Sequence, residues 1–549
     1  MHSNWKHLSR WLALMLCYTG TTAAGASPDT PHMSHSQSVS TVEAYDFVEV
    51  TLKVDKPDVK SSFTDASVEG QFGRAGDARR LEVLGFCDSP DGSTYRVRFM
   101  PTSPGDYSYS VTYRQGAREM SFPGTFKAVN GRRRGLLRVD PAYPWHFFWE
   151  GTGDHYFLNG TTAFLLMGWE DDAVIREILD RFARYKVNRV RVLLNGRSNH
   201  SWTDPLKNGA GFYACANPWA AQRPHDAANP GFDYTRFNLA YWARFEKMLR
   251  YAREKDMVIS VIMDWADSSV HPAAGSEAEH RYYRYAAARL GAYANITWDL
   301  GDDLDSFRDE KWARETGTLL MQWDPYHHLA TSHPTHNDHQ DRASDWFGMT
   351  SFQEWHRPLH DWMLEQRQIQ AKTGRIIPQV DEEYGYEDHY PEWNPNPAPA
   401  CTADGNRRTA WEMAMAGTYQ TTGETAKRVN AGGYISGRAD ATMILLEMQS
   451  HMVDFFTSFD WWKADPHDEL VDNGAFCLAQ PGKIYAVYLS HGGRVNVKLE
   501  PGAYTATWFH CRSGETIPIG SAAGPTWKSP QAPDLDDWAI LIRSPGSGP

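Results

Sequence analysis

Two stretches of this 549-residue chain gather carboxylates where a strand-like run ends. The first is Trp298-Asp299-Leu300-Gly301-Asp302-Asp303-Leu304-Asp305, at the end of the run Ile296–Leu300. The second is Pro378-Gln379-Val380-Asp381-Glu382-Glu383-Tyr384-Gly385-Tyr386-Glu387. Cleaving a glycosidic bond needs one carboxylic acid to protonate the leaving oxygen and one carboxylate, across the sugar ring, to attack or to activate water. Two acidic strand ends facing each other would supply that pair. The competing use for each acid is helix capping, because Asp at a strand-to-helix junction accepts from the first free N–H groups of the helix.

Other polar and aromatic residues stand at predicted strand ends and could shape sugar subsites: Trp169, Arg191, Asn195, Asp264, Trp265, Asp302, His333, Gln353, His356, Tyr386 and Glu424. The two tryptophans suit either sugar stacking or rim packing, and the histidines either hydrogen bonding to hydroxyls or loop structure. Arg191, at the end of a predicted second strand, is a cation that would favour a charged Glu383. His327, His328, His333, His336 and His339 cluster in sequence with Asp338, a ligand set that zinc accepts. A metal-dependent hydrolase drawing on His327 to His339 is therefore a second reading. Against it, the first predicted strand ends Met167-Gly168-Trp169 rather than in paired histidines, so no cofactor is expected. A barrel that binds carbohydrate without cleaving it is a third reading, and a lyase would need a Tyr or Lys base beside charge-neutralising groups.

The elements that must position these residues follow from hydrophobic period. Between about residues 140 and 465, strand-like runs alternate with helical spacing such as Val174, Ile175, Ile178, Leu179 and Phe182. Thr162–Met167, Asn188–Leu194, Met257–Met263, Ile296–Leu300, Leu329–Ser332, Phe347–Ser351, Arg375–Val380 and Gly417–Thr422 read as eight strands. That pattern predicts an α/β fold with a (β/α)₈ TIM barrel, whose reactive groups stand at the C-terminal ends of the strands. No GxGxxG follows a strand. Residues 42–130 and 466–549 show short alternating runs separated by Gly and Pro turns, which predict β-sandwich domains on both flanks.

Composition narrows the partners. A formal charge of −13 gives no footprint for nucleic acid or an anionic membrane. The 13% aromatic content suits a carbohydrate partner as well as ordinary cores. Lys6 and Arg10 precede the apolar Trp11–Leu16, and Ala24-Gly25-Ala26 offers a cleavage site, so residues 1–26 read as a signal peptide and 27–41 as a flexible leader. A secreted or periplasmic protein without membrane insertion is expected. Cys87, Cys215, Cys401, Cys477 and Cys511 form no disulfide framework and read as small buried hydrophobes, with a Cys215–Cys401 bridge as the alternative. Oligomeric state leaves no mark in the sequence.

The acidic segments also carry a resemblance. Trp298-Asp299-Leu300-Gly301-Asp302-Asp303 resembles the W-x-L-G-G-D segment of apiosidase-like glycoside hydrolases, and Glu383-Tyr384-Gly385-Tyr386-Glu387 resembles their G-E-[FY]-G-Y-E segment. Phe157-Leu158-Asn159-Gly160-Thr161, Ser332-His333-Pro334, and Ser351-Phe352-Gln353 through His356 also fit, so the resemblance spans about residues 144–470. Gly85-Phe86-Cys87 with Arg96–Pro101 is similar to a β-sandwich often fused ahead of such barrels. The closing domain resembles a small module named for collagen binding, a name not to be read literally. Carried over, the resemblance implies a retaining double displacement with Asp303 as general acid/base and Glu383 as nucleophile. It also implies that Asp303 has a raised pKa, through burial and its acidic neighbours. This chain departs from the pattern at Asp302, where the family has Gly. A strand period of two lets only one of Glu382 and Glu383 face the mouth. Glu383, which directly precedes Tyr-Gly, is the choice.

Overall fold

The computed structural model describes residues 32–196, 211–213, 216–224, 226, 229–266, 271–387, 402–423, 433–438 and 444–546. The expected signal peptide, Cys215, Cys401 and Glu424 lie outside them.

The middle of the chain builds a parallel sheet from seven strands: β1 (Asn159–Thr162), β2 (Arg189–Leu193), β3 (Val258–Ile262), β4 (Ile296–Asp302), β5 (Ala330–His333), β6 (Val380–Asp381) and β7 (Tyr419–Thr422). They lie in the order β5-β4-β3-β2-β1-β7-β6. Residues 347–352 reach both outer strands: Ala330 bridges Phe347, and Phe352 bridges Asp381, each in parallel sense. Five of these strands, β2 to β5 and β7, match the expected positions within two residues, whereas β6 shares only Val380 with the expected Arg375–Val380 and the expected strand Phe347–Ser351 is reduced to isolated bridges at Phe347 and Phe352. The first strand does not match either, since β1 ends at Thr162 and the apolar run after it turns into a buried 3₁₀ helix, Leu166–Gly168. The run is apolar because it packs in the core, and apolarity alone cannot distinguish a buried turn from a buried strand.

Helices α1 (Asp172–Arg184), α2 (Leu239–Glu254), α3 (Glu277–Leu290), α4 (Glu310–Trp323), α5 (Leu359–Lys372), α6 (Ala403–Met415) and α7 (Leu445–Phe456) separate or follow the strands. Val190, Val192, Ile259 and Val261 share one core with Ile178, Leu179, Phe182, Phe245 and Leu249 of α1 and α2. Arg189 and Arg191 alternate with the two valines of β2, so the period of two sends the arginines to the other face of the sheet. That inner face carries the site.

The segments on either side are β-rich. Residues 33–129 form a four-stranded and a five-stranded sheet over a common core that includes Val50, Leu52, Phe72, Val97 and Val111. Residues 465–543 form a six-stranded antiparallel sheet with a two-stranded ribbon. A buried ion cluster ties the first segment to the helices. Arg98 grips Glu246 of α2 with two nitrogens at 2.8 and 3.1 Å, and Arg289 of α3 reaches Asp88 at 2.9 Å. Cys87, Cys477 and Cys511 are buried free thiols.

Candidate active site

Arg191 organises the inner face. Its side chain has no exposed surface, yet its guanidinium meets three carboxylates. Nη2 lies 2.5 Å from Asp302 Oδ1, Nη1 lies 2.9 Å from Glu383 Oε1, and Nε lies 3.1 Å from Glu382 Oε2. The planar fork of arginine can hold several oxygens at once, which a lysine ammonium cannot do in fixed geometry. Burial opposes the charge on Arg191, but the attraction of Asp302 and Glu383 outweighs it, and the group is held above its ordinary pKa.

Both acidic strand ends are irregular, and the irregularities aim the side chains. In β4 the pairing with β5 steps from Asp299–Thr331 to Asp302–His333, three residues against two. Such a β-bulge leaves Asp302 on the face that Asp299 occupies. After β6, the N–H groups of both Glu382 and Glu383 point to Phe352 O, at 2.9 and 3.2 Å. Strict alternation ends with the regular strand, so both side chains turn to the inner face, although only Glu383 keeps any exposed surface. Both carboxylates reach Arg191 and differ in environment. Glu382 has no exposed surface, pairs with Arg189 and accepts from Ser351 Oγ at 2.9 Å. Glu383 keeps slight exposure and accepts from Gln353 Nε2 at 2.9 Å.

His333 stands between the two carboxylates. Its Nε2 is 3.8 Å from Asp302 Oδ1 and 3.8 Å from Glu383 Oε1, and it has no hydrogen-bond partner. Its Nδ1 shares a 2.8 Å hydrogen bond with Ser351 Oγ. Burial, with Arg191 and Arg189 nearby, drives the imidazole well below its usual pKa, so it is neutral. Asp302 moves the other way. Burial and the neighbouring Glu383, Asp303 and Asp299 push it well above the carboxylate range, against the pull of Arg191. One cation serving several buried carboxylates favours retention of a proton within the group.

Asp303 sits at the rim, partly exposed, in the left-handed region with φ 50° and ψ 39°. Asp tolerates that region better than most residues. Its side chain does not cap the short 3₁₀ helix Leu304–Ser306, and it accepts a 3.4 Å hydrogen bond from Thr335 Oγ1. The caps of α1, α2, α3, α4 and α6 are Asp171, Asn238, Ser276, Asp309 and Thr402. The two acidic clusters are thus free of the capping role that competed for them.

The remaining predicted residues fall into two groups. Asn195 donates to Asp264 Oδ1 at 2.8 Å, and His271, which sequence reasoning missed, lies 2.7 Å from the same oxygen. Tyr386 is buried beside Trp355 and bridges Gly423. Trp265 is buried with its ring stacked on Phe164, and Asp302 bridges its backbone. Trp169 is packed edge-on to Phe212 and spends its indole N–H on Ser436 O at 2.8 Å. His356 is exposed on the bend after Gln353. Ser351 and Arg189 were also missed. The signal for Arg189 was the two-residue spacing from Arg191 inside an otherwise apolar strand. The histidine run separates into four places: His327 is exposed on the turn before β5, His328 pairs with Asp324 at 2.8 Å beneath the strands, His333 lies in the site, and His336 and His339 sit at the rim.

Asp299 lies below the cluster, wholly buried, its Oδ2 3.9 Å from Arg191 Nη2 and without a hydrogen bond. Burial, only partly offset by Arg191, raises its pKa from 3.8 to about 6. A raised carboxyl adds stability that is fully present below its unfolded pKa and is lost as the pH rises through the folded value. Asp299→Asn removes this titration. The melting temperature of the variant relative to wild type should therefore climb between about pH 4 and 6 and level off above. The free-energy change across that window is on the order of 2 to 3 kcal/mol. A pH-independent difference in thermal melts would rule this out.

Comparison with known proteins agrees with the geometry. Residues 145–423, more than half of the chain, match the family model of the apiosidase-like catalytic domain, and residues 41–114 match a domain of unknown function, DUF5060. The fold is shared with a Bacteroides vulgatus ATCC 8482 protein assigned to the glycoside hydrolases, at 18% identity and TM-score 0.76, covering 92% of this chain and 100% of that one. A family 5 glycoside hydrolase from the same organism aligns at 17% identity and TM-score 0.58, over 75% of this chain and 93% of its own. No curated protein matches the chain. The protein is a glycoside hydrolase. Within that class, it belongs to the apiosidase-like family.

Proposed function

We propose that this enzyme cleaves a plant, algal or bacterial polysaccharide or oligosaccharide by a retaining double displacement, with Glu383 as nucleophile and Asp303 as general acid/base. The observation that carries the reading is the shared guanidinium of Arg191, which binds Glu383 while Asp303 stands one residue beyond Asp302 at the rim. Glu383 attacks the anomeric carbon while Asp303 gives its proton to the departing oxygen. Asp303 then takes a proton from water, which attacks the same carbon and releases Glu383. Arg191 and Gln353 hold the nucleophile in place through its two oxygens. His333 Nε2, buried and unpaired between the carboxylates, and Asp302 are positioned for sugar hydroxyls.

The scaffold of this reading is a closed (β/α)₈ barrel with β-sandwiches on both flanks. The two bridges from residues 347–352 to the outer strands support closure. The basic and apolar N-terminal segment supports export to the periplasm or medium.

One observation favours a second assignment of the acid. Oxygens of Asp302 and Glu383 lie within 4.8 Å of each other, near the ~5–5.5 Å carboxyl separation of retaining enzymes. Two variants separate the readings, once screening against polysaccharides and nitrophenyl glycosides has identified a substrate. Asp303→Asn should lower kcat about 10²- to 10⁴-fold on a poor leaving group, and much less on a nitrophenyl glycoside that departs without a proton. Asp302→Asn should not show that dependence on leaving group. The reverse pattern would move the acid to Asp302. The first product, followed by proton NMR, should keep the anomeric configuration of the substrate, and inversion would exclude the nucleophile role.

A further inference from the structure

Outside the Arg191 cluster, Asp305, His336 and His339 bring one ligand atom each to within 4.8 Å of the others. Asp305 Oδ2 is the hub. It lies 2.5 Å from His336 Nδ1 and 3.3 Å from His339 Nδ1. The His336 contact is a hydrogen bond, but His339 Nδ1 makes none, although that atom is buried. The far nitrogen of the same ring faces acid: His339 Nε2 is 3.7 Å from Glu310 Oε1 and 3.9 Å from Asp338 Oδ1. Neither contact is a hydrogen bond, but both acids stand within a small shift of the outer nitrogen, where a carboxylate accepting its N–H would hold the imidazole with its other lone pair inward.

From these contacts we propose that Asp305, His336 and His339 bind a zinc-class divalent ion at the rim of the active site. Two imidazoles and one carboxylate suit zinc, cobalt or nickel rather than magnesium or calcium, which prefer oxygen alone. Zinc ligands at about 2.0–2.2 Å from the ion stand about 3.3 Å or more from one another, so the His339 contact already fits. His336, whose side chain is 70% exposed, has room to swing outward by about an ångström, with the ion replacing its Nδ1 proton. Water completes the coordination.

The ion has a positioning role. Asp305 is two residues from Asp303, and Thr335, which hydrogen-bonds Asp303, immediately precedes His336. Asp305 already accepts from Thr335 N at 2.7 Å and His336 N at 3.0 Å. Coordination would lock the loop after β5 to the turn after β4 on both sides of Asp303. The proposal stands on the rim ligands alone and does not depend on which aspartate is the acid.

The test uses the full chain, stripped by a chelator and then titrated with zinc chloride alone. The expected result is one zinc ion per chain by elemental analysis, a higher melting temperature with zinc than without, and loss of both in His336→Ala and in His336→Ala/His339→Ala. Because His336 is exposed, the single variant should fold as wild type does. Asp303→Asn and His333→Ala should each still bind one ion. No bound zinc in the wild type, zinc retained by the double variant, or zinc lost from His333→Ala but kept by His336→Ala would overturn the proposal. The last outcome would locate the ion at Asp302, His333 and Glu383 instead.

Discussion

Glu383→Gln is expected to lower kcat by about 10⁴-fold or more on any glycoside the wild type cleaves, because removing a covalent nucleophile forfeits the route rather than one contact within it. The amide is nearly isosteric, so the fold should survive. Its NH₂ must nevertheless face either Arg191 Nη1 or Gln353 Nε2, both of which donate to the wild-type carboxylate. Small external nucleophiles do not restore a side chain that still fills the site, so Glu383→Ala with azide provides the complementary arm. Glu382→Gln should behave differently. It weakens a buried pair with Arg189 and Arg191, and its signature is a lower melting temperature. Near-wild-type turnover in Glu383→Gln, with kcat lost in a well-folded Glu382→Gln, would transfer the nucleophile to Glu382. Kinetics and thermal melts on the two proteins decide it.

Arg191→Met carries the largest expected loss of stability. The substitution leaves Asp302, Glu382 and Glu383 buried without their shared cation, and breaking a buried pair from one side typically costs about 3–5 kcal/mol. The loss should be greater at high pH than at low pH, since protonation relieves the stranded carboxylates. Arg191 also packs its guanidinium over the ring of Phe164, at 5.3 Å from the centroid. Arg191→Lys would keep the charge but not the fork. It should recover part of the stability and little of the activity, because a single ammonium cannot hold Glu383 and Asp302 in one geometry. Denaturant titration at two pH values, alongside kcat, measures both effects. Wild-type stability in Arg191→Met would remove Arg191 from the centre of the site.

Much of this site was legible before any tertiary information. The acidic clusters at residues 298–305 and 378–387 stand out because carboxylates rarely follow a buried strand without a partner or a use. Arg191 was readable as a cation at a strand end, and Gln353 and His333 by their places after other strands. The misreadings have a common origin. Thr162–Met167 reads as strand because a continuous apolar run carries no period, and the period of two gives no sign that Glu382 also turns to Arg191, because alternation ends with the two-residue strand. His271 gave no local signal, and Ser351 stood in the resembling segment without a role; each matters through hydrogen bonds to residues elsewhere in the chain.

The sequence by itself determined the alternation of strands and helices, the acid-rich strand ends and the cation Arg191 on β2, since each depends on side-chain period and composition within a few residues. Only the tertiary structure decided which carboxylates meet. Asp302, His333 and Glu383 converge on Arg191 from chain positions 111 to 192 residues away, and they do so because the bulge in β4 and the paired N–H groups after β6 rotate side chains that regular pleating would point elsewhere. A bulge arises from pairing between strands, and that pairing exists only once distant segments lie side by side.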